Sequence, residues 1–192
     1  MSLRVVVLAS GAGSLADALM RAAQPPEYPA QVVALGTDRP AAALELARKH
    51  GVATFQVQLA DFDSRAQWDA ALAAAVAVFN PDLVVSAGFM RVLGAPFLDQ
   101  FGDRTINTHP ALLPAFPGAH AVRDALAAGV PITGCTIHRV DSGVDTGPVL
   151  DQREVKVQAG DTEATLHERI KVQERDLLIT TVARLARGEL TL

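Results

Sequence analysis

Four short apolar runs, each followed by a segment with helix signals, restrict the possible folds of this chain more than any other feature. Leu3 to Ala9, Gln31 to Gly36, Ala53 to Val57 and Asp82 to Ala87 have the length of strands. The first and last are almost continuously apolar instead of alternating, which marks strands covered on both faces, as in a parallel sheet. A helix that follows Gly11-Ala12-Gly13-Ser14 and runs to about Ala23 is broken by Pro25-Pro26. Another, Ala41 to His50, is closed by Gly51, and Arg48, Lys49 and His50 in its last turn complement the helix dipole. A third, Arg65 to Phe79, stops before Asn80-Pro81. Alternation of this kind gives a doubly wound α/β domain.

The pattern changes toward the C-terminus. A short helix, Ala95 to Phe101, leads to a strand from Arg104 to Thr108, and Pro110, Pro114 and Pro117 punctuate the irregular loop that follows. Ala119 to Ala128 reads as a helix. Ile132 to Val140 and Val149 to Val157 are two consecutive strands, expected as an antiparallel pair joined through the loop that carries Asp145. Asp161 is the expected N-cap of a final helix reaching about Arg187. The expected fold class is therefore doubly wound α/β and Rossmann-like. Its sheet is mostly parallel, with antiparallel strands toward the C-terminal end and helices on both faces. With no linker, repeat or low-complexity segment, residues 1–192 are read as one domain.

A formal charge of −4 argues against a nonspecific nucleic-acid binder, since phosphate contacts need a basic face. The single cysteine, Cys135, excludes an internal disulfide and suits a reducing cytoplasm. No apolar stretch is long enough to span a bilayer, and the chain opens on a strand-like run instead of a signal peptide. The expectation is a soluble cytoplasmic protein with no nucleic-acid or membrane partner, a monomer or homodimer. With neither a Cys/His cluster nor an HExxH motif, no metal site is expected.

Chemistry concentrates in two blocks. In Ile106-Asn107-Thr108-His109-Pro110, the side chains of Asn107 and His109 are two apart and share one face of a strand end. Asp145 lies in a loop after a later apolar run, placed to orient and charge the imidazole. Amide, imidazole and carboxylate together suit acyl or formyl transfer through a tetrahedral intermediate. A hydrogen-bonded structural histidine would present the same Asn-x-His pattern. The second block, Gly11-Ala12-Gly13-Ser14-Leu15-Ala16, joins a strand to a helix and suits an anion at the helix N-terminus. It also meets a relaxed dinucleotide fingerprint, with Asp38 near the spacing of a ribose-binding acid. A nicotinamide-dependent oxidoreductase is thus a rival. Against it, the chain is short for two domains, and hydride transfer gives Asn107, His109 and Asp145 no task.

Leu83 to Arg91 (LVVSAGFMR), Asn107 to Pro114 (NTHPALLP), Phe116-Pro117-Gly118 and Asp145-Thr146-Gly147-Pro148 closely resemble the phosphoribosylglycinamide formyltransferase family, over essentially the whole chain. The resemblance implies 10-formyltetrahydrofolate as formyl-donor cosubstrate and the amine of 5′-phosphoribosylglycinamide as acceptor, in purine synthesis. It carries the acceptor phosphate to Gly13, Ser14 and Leu15, and the rest of that substrate to Lys171, Val172, Gln173 and Glu174. The folate contacts fall on Arg65, on Met90, Arg91, Val92 and Leu93, on Asn107, and on Asp141, Ser142, Gly143, Val144 and Asp145. Ala12 and Leu15 stand where the family often has Asn, and Val122 where a second histidine often follows the one matching His120. A formyltetrahydrofolate hydrolase and methionyl-tRNA formyltransferase share the catalytic block. They usually carry an N-terminal regulatory domain and a C-terminal RNA-binding domain, respectively. A noncatalytic folate- or nucleotide-binding module is the remaining alternative. His50, His138 and His167 read as structural.

Overall fold

The computed structural model describes residues 2–192. Seven strands, β1 (Leu3–Ala9), β2 (Ala30–Thr37), β3 (Ala53–Gln56), β4 (Leu83–Ser86), β5 (Thr105–His109), β6 (Ile132–Arg139) and β7 (Val149–Lys156), form one sheet. Six helices pack against it: α1 (Ser14–Ala22), α2 (Ala42–Lys49), α3 (Arg65–Ala77), α4 (Ala95–Phe101), α5 (Ala121–Ala127) and α6 (Glu163–Ala186). Among the described residues, no helix is long and apolar enough to cross a membrane.

The strand order is β3-β2-β1-β4-β5-β6-β7. β1 to β5 run parallel, and β6 and β7 are antiparallel to their neighbours, as the sequence pattern predicts. The chain leaves β1 toward β2 on one side and returns to β4 on the other. That reversal is a topological switch point, where the loops after β1 and β4 diverge and open a crevice at the strands' carboxyl ends.

Why β1 lacks an alternating pattern is visible in its packing. Val5, Val7 and Ala9 join one apolar cluster with α1, α2 and α6, whereas Val6 and Leu8 join another with α3 and α4. Successive side chains alternate, but both faces are covered, so every position is apolar. Each fully buried valine or leucine contributes roughly 1.5–3 kcal/mol. In α6 the buried stripe runs through Leu166, Ile170, Glu174, Leu177, Leu178 and Val182, the spacing of a core-facing helix with one carboxylate set in it.

Two local expectations need correction. The N-cap of α6 is Thr162, not Asp161. Thr162 Oγ1 accepts from the Thr165 amide at 3.2 Å, and Thr165 Oγ1 accepts from the Thr162 amide at 2.9 Å. Asp161 serves instead as the anchor for the Arg169 guanidinium and the Gln158 amide. The helix expected from Ala119 begins at Ala121, because Gly118 still has a left-handed backbone (φ 90°) and the chain has not yet turned helical.

Candidate active site

The ends of β1, β4 and β5, the loop after β6 and one face of α6 enclose a cavity of about 570 Å³. Its wall includes Gly11 to Leu15, Ser86 to Leu93, Asn107 to Pro110, Asp141, Gly143 to Asp145, Lys171 and Glu174. Loops far apart in the chain meet here because the switch point brings three parallel strand ends together.

Asp145 is the centre of a polar cluster. Its backbone is left-handed (φ 55°), a conformation that Asp tolerates better than most residues. Asp141 shapes the turn around it, its Oδ1 accepting from the Gly143 amide at 3.0 Å and from Thr146 Oγ1 at 2.7 Å. One Asp145 oxygen accepts from the Gly118 amide at 2.8 Å and lies 3.3 Å from His109 Nδ1. The other accepts from Asn107 Nδ2 at 3.4 Å and lies 3.5 Å from His138 Nε2. Burial pushes the carboxyl up, but the His138 imidazole, the Gly118 amide and the charge of His109 outweigh it. Asp145 is held below the ordinary carboxylate range.

His109 is almost wholly buried, and its Nε2 lies 2.8 Å from the Phe116 carbonyl. A carbonyl only accepts, so Nε2 carries the proton there and Nδ1 is the nitrogen turned to Asp145. The ring is thus oriented by the loop after β5 and electrostatically served by the loop after β6. With an acceptor at each ring nitrogen, the pocket is complementary to the imidazolium.

His138, read from sequence as structural, belongs to the cluster. It faces Asn107 across the antiparallel β5–β6 pair, with Nε2 3.2 Å from Asn107 Nδ2. Its Nδ1 donates to the Arg139 carbonyl at 3.0 Å, so Nε2 accepts from the Asn107 amide when it carries no proton and donates toward Asp145 when it does. Both contacts of Asn107 Nδ2 are longer than the usual 2.9–3.0 Å, so an N–H can be redirected at small cost.

Of the other expected site residues, Gly13, Ser14, Leu15, Met90, Arg91, Val92, Leu93, Asp141, Gly143 and Val144 line the cavity. Met90, Val92 and Val144 are large apolar side chains more than half exposed, all on that wall. On α6, His167, Lys171 and Glu174 line the cavity at spacings of four and three residues, which share a helix face. Val172 and Gln173 lie between them on the helix and off the cavity wall, as does Ser142 on its loop. Arg65 is also off that wall. It stacks over the Trp68 ring at 4.5 Å, sits 3.4 Å from Asp69 Oδ2 and donates to the Val92 carbonyl, bracing the loop from outside. His120 is exposed at the start of α5 and makes no side-chain cap.

Two features separate this site from a dinucleotide site. Asp38 is buried and its oxygens accept from Ser10, Arg39 and Arg91, leaving no free edge for a ribose. Three polar side chains also converge where a hydride carrier would need an apolar slot.

Comparison with known proteins agrees with that reading. Residues 3–182 match the family model described as formyl transferase. The phosphoribosylglycinamide formyltransferase of Mycobacterium tuberculosis (strain ATCC 25618 / H37Rv) is 61% identical over 183 residues, 95% of this chain and 85% of that protein. The enzyme of that name from Escherichia coli (strain K12) is 37% identical over 189 residues, covering 98% and 89%. The crystal structure of glycinamide ribonucleotide transformylase 1 from Symbiobacterium toebii superposes with a TM-score of 0.96 at 40% identity, covering 100% of this chain and 91% of that one. The chain belongs to the formyl transferase family, in the group of the phosphoribosylglycinamide formyltransferases.

Proposed function

We propose that this protein transfers the formyl group of 10-formyltetrahydrofolate to the amine of 5′-phosphoribosylglycinamide, a step of purine synthesis. The observation that carries the reading is the convergence of Asn107, His109 and Asp145 on one wall of a cavity that also exposes the glycine loop. One space thereby offers an anion site, a transfer centre and an apolar wall. The loop at Gly13, Ser14 and Leu15 takes the acceptor phosphate on backbone amides at the start of α1. Ala12 and Leu15 withdraw side-chain assistance without removing the site, because the backbone amides remain. Lys171 and Glu174 serve the ribosyl and glycyl portion. Met90, Val92, Leu93 and Val144 provide apolar contact for the folate, with Arg91 and the loop from Asp141 to Asp145 beside it and Arg65 supporting the Val92 backbone from behind that wall.

In the transfer, the acceptor nitrogen attacks the formyl carbon and the carbonyl oxygen becomes an oxyanion. Asn107 turns an N–H from His138 or Asp145 to that oxygen; removing such a donor typically costs ~10²–10³ in rate. His109, oriented by the Phe116 carbonyl and by Asp145, presents its ring beside the same oxygen. Collapse breaks the bond to the folate nitrogen, which takes up a proton as the attacking nitrogen loses one. Asp145, ionised and beside the His109 ring, relays that proton.

The test is to follow loss of the formyl group from 10-formyltetrahydrofolate with and without phosphoribosylglycinamide. Turnover is expected only with the acceptor present. Equal turnover without it would identify a hydrolase, and none in either case would identify a binding module.

The glycine loop supplies a separate prediction. Gly13 has φ 76°, and a Cβ there would lie 2.6 Å from Ala43 Cβ and 2.9 Å from Ala43 Cα, at the start of α2. Gly13→Ala is expected to destabilise the fold by about 1–3 kcal/mol and to raise the acceptor KM more than the donor KM. Thermal melting and steady-state kinetics would read both. An unchanged acceptor KM would remove the phosphate from this loop.

A further inference from the structure

Asp38 immediately follows β2, and its side chain is fully buried. Its Oδ1 accepts from Ser10 Oγ at 2.6 Å, and the same Ser10 Oγ accepts from the Met90 amide at 2.8 Å. Its Oδ2 accepts from Arg39 Nη2 at 2.7 Å and from Arg91 Nε at 2.7 Å. One carboxylate therefore ties together the ends of β1 and β2 and the loop after β4. Burial pushes its carboxyl up, yet the bonds from Arg39, Ser10 and Arg91 prevail and bring it down to about 2, so it is ionised throughout the neutral range.

Arg91 is the member of this cluster that reaches the cavity wall. It spends only Nε on Asp38, and its two terminal nitrogens have no protein partner among the described residues. Two guanidinium groups on one carboxylate leave one positive charge uncompensated. The free edge of Arg91 has the fork geometry that receives a carboxylate in a bidentate pair. An unrestrained arginine would lose much rotamer freedom on making that pair; one held through Nε has already lost most of it.

We propose that Asp38 is a positioning residue for the formyl donor: it holds Arg91 by Nε so that the remaining edge of the guanidinium meets a carboxylate of the donor's glutamate tail. The inference rests on the folate-donor reading above. Asp38 acts only through Arg91 and touches no reacting atom, so its effect belongs in donor binding and not in turnover.

The experiment compares two donors, 10-formyltetrahydrofolate and the otherwise identical 10-formyltetrahydropteroate, which has no glutamate. With the first, Asp38→Ala raises the donor KM about tenfold, the scale of one charge-assisted pair, while kcat stays within about twofold and the acceptor KM is unchanged. With the second, the increase disappears. Asp38→Asn keeps the shape and one accepting oxygen and raises the donor KM about threefold, again only for the glutamate donor; it carries the comparison if Asp38→Ala does not fold. The double variant with Arg91→Ala is no worse than Arg91→Ala alone, because both act on one contact. An equal rise with both donors, additive effects in the double variant, or a fall in kcat at constant KM would each overturn the proposal. Absence of formyl transfer by the unmodified enzyme with either donor would instead sink the functional reading, and the inference with it.

Discussion

His109→Ala and Asp145→Asn are each expected to lower turnover at least ~10²-fold while the protein remains folded. His109 sits between a carbonyl that fixes its orientation and a carboxylate 3.3 Å from the other nitrogen. Its removal leaves the Phe116 carbonyl unsatisfied and opens a small void, at a cost of about 1–3 kcal/mol, less than a typical domain's total stability. Asn in place of Asp145 keeps the size and an acceptor for the Gly118 amide but removes the charge that faces both imidazoles. The effect should also follow pH. Because the folded pKa of Asp145 is depressed, its ionised form contributes stability that is complete above the unfolded value, near 3.8. That contribution is lost as pH falls through the lower folded value. The carboxylate therefore limits activity only on the acid side of the profile. Steady-state kcat beside a thermal melt would check the pair. A near-normal rate in either variant would remove that residue from the transfer step.

Much of this site is legible from strand spacing alone. Two residues separate Asn107 from His109, so once β5 is recognised their shared face follows. The apolar runs at β1 and β4 locate the switch point, and the loops beyond them locate the cavity. What escaped depends on register and on backbone atoms. His138 opposes Asn107 only because β5 and β6 pair antiparallel with that alignment. The two strands are joined by the long segment holding α5, so no tight turn sets their register. The partner of His109 Nε2 is a main-chain carbonyl of Phe116, itself at φ 54°, and no side-chain pattern announces it. His167, three residues before Ile170 on the buried stripe, has no sequence signal beyond a structural histidine, yet it reaches the cavity because the stripe borders it. Asp38 shows the opposite difficulty. Its spacing after the glycine loop fits a ribose-binding acid, and only its arginine and serine partners reveal a different use. The shift of the α6 cap from Asp161 to Thr162 is similar, since both are good caps and Arg169 decides between them.

Glu174→Gln is expected to stabilise the protein above neutral pH and to weaken acceptor binding. Glu174 occupies a position in the buried stripe of α6 where leucine or isoleucine would pack, and it is 4% exposed. Burial raises its carboxyl to about 7, against the opposing influence of Lys171 and Arg175. For an acid with a raised folded pKa the linkage runs opposite to that of Asp145. Between its unfolded value of 4.5 and about 7, the unfolded chain releases the proton while the folded one keeps it. Stability therefore falls as pH climbs through that window, and above it the burden is complete, roughly 3 kcal/mol. Glutamine has the same shape and no charge. It should recover up to that amount at pH 8, a rise of about 6–12 °C in Tm for a domain of this size, and much less at pH 5. Such a costly group in a core stripe calls for a use, and Glu174 borders the cavity, within which hydroxyls or an amine of the acceptor are expected to bond it. The same substitution should then raise the acceptor KM about tenfold, the scale of a bond to a charged group, with little change in donor KM. Melting curves at the two pH values and acceptor kinetics test both halves. Equal Tm gains at pH 5 and pH 8 would mean that the carboxylate is not held neutral by burial, and an unchanged acceptor KM would leave Glu174 as a buried acid with no ligand.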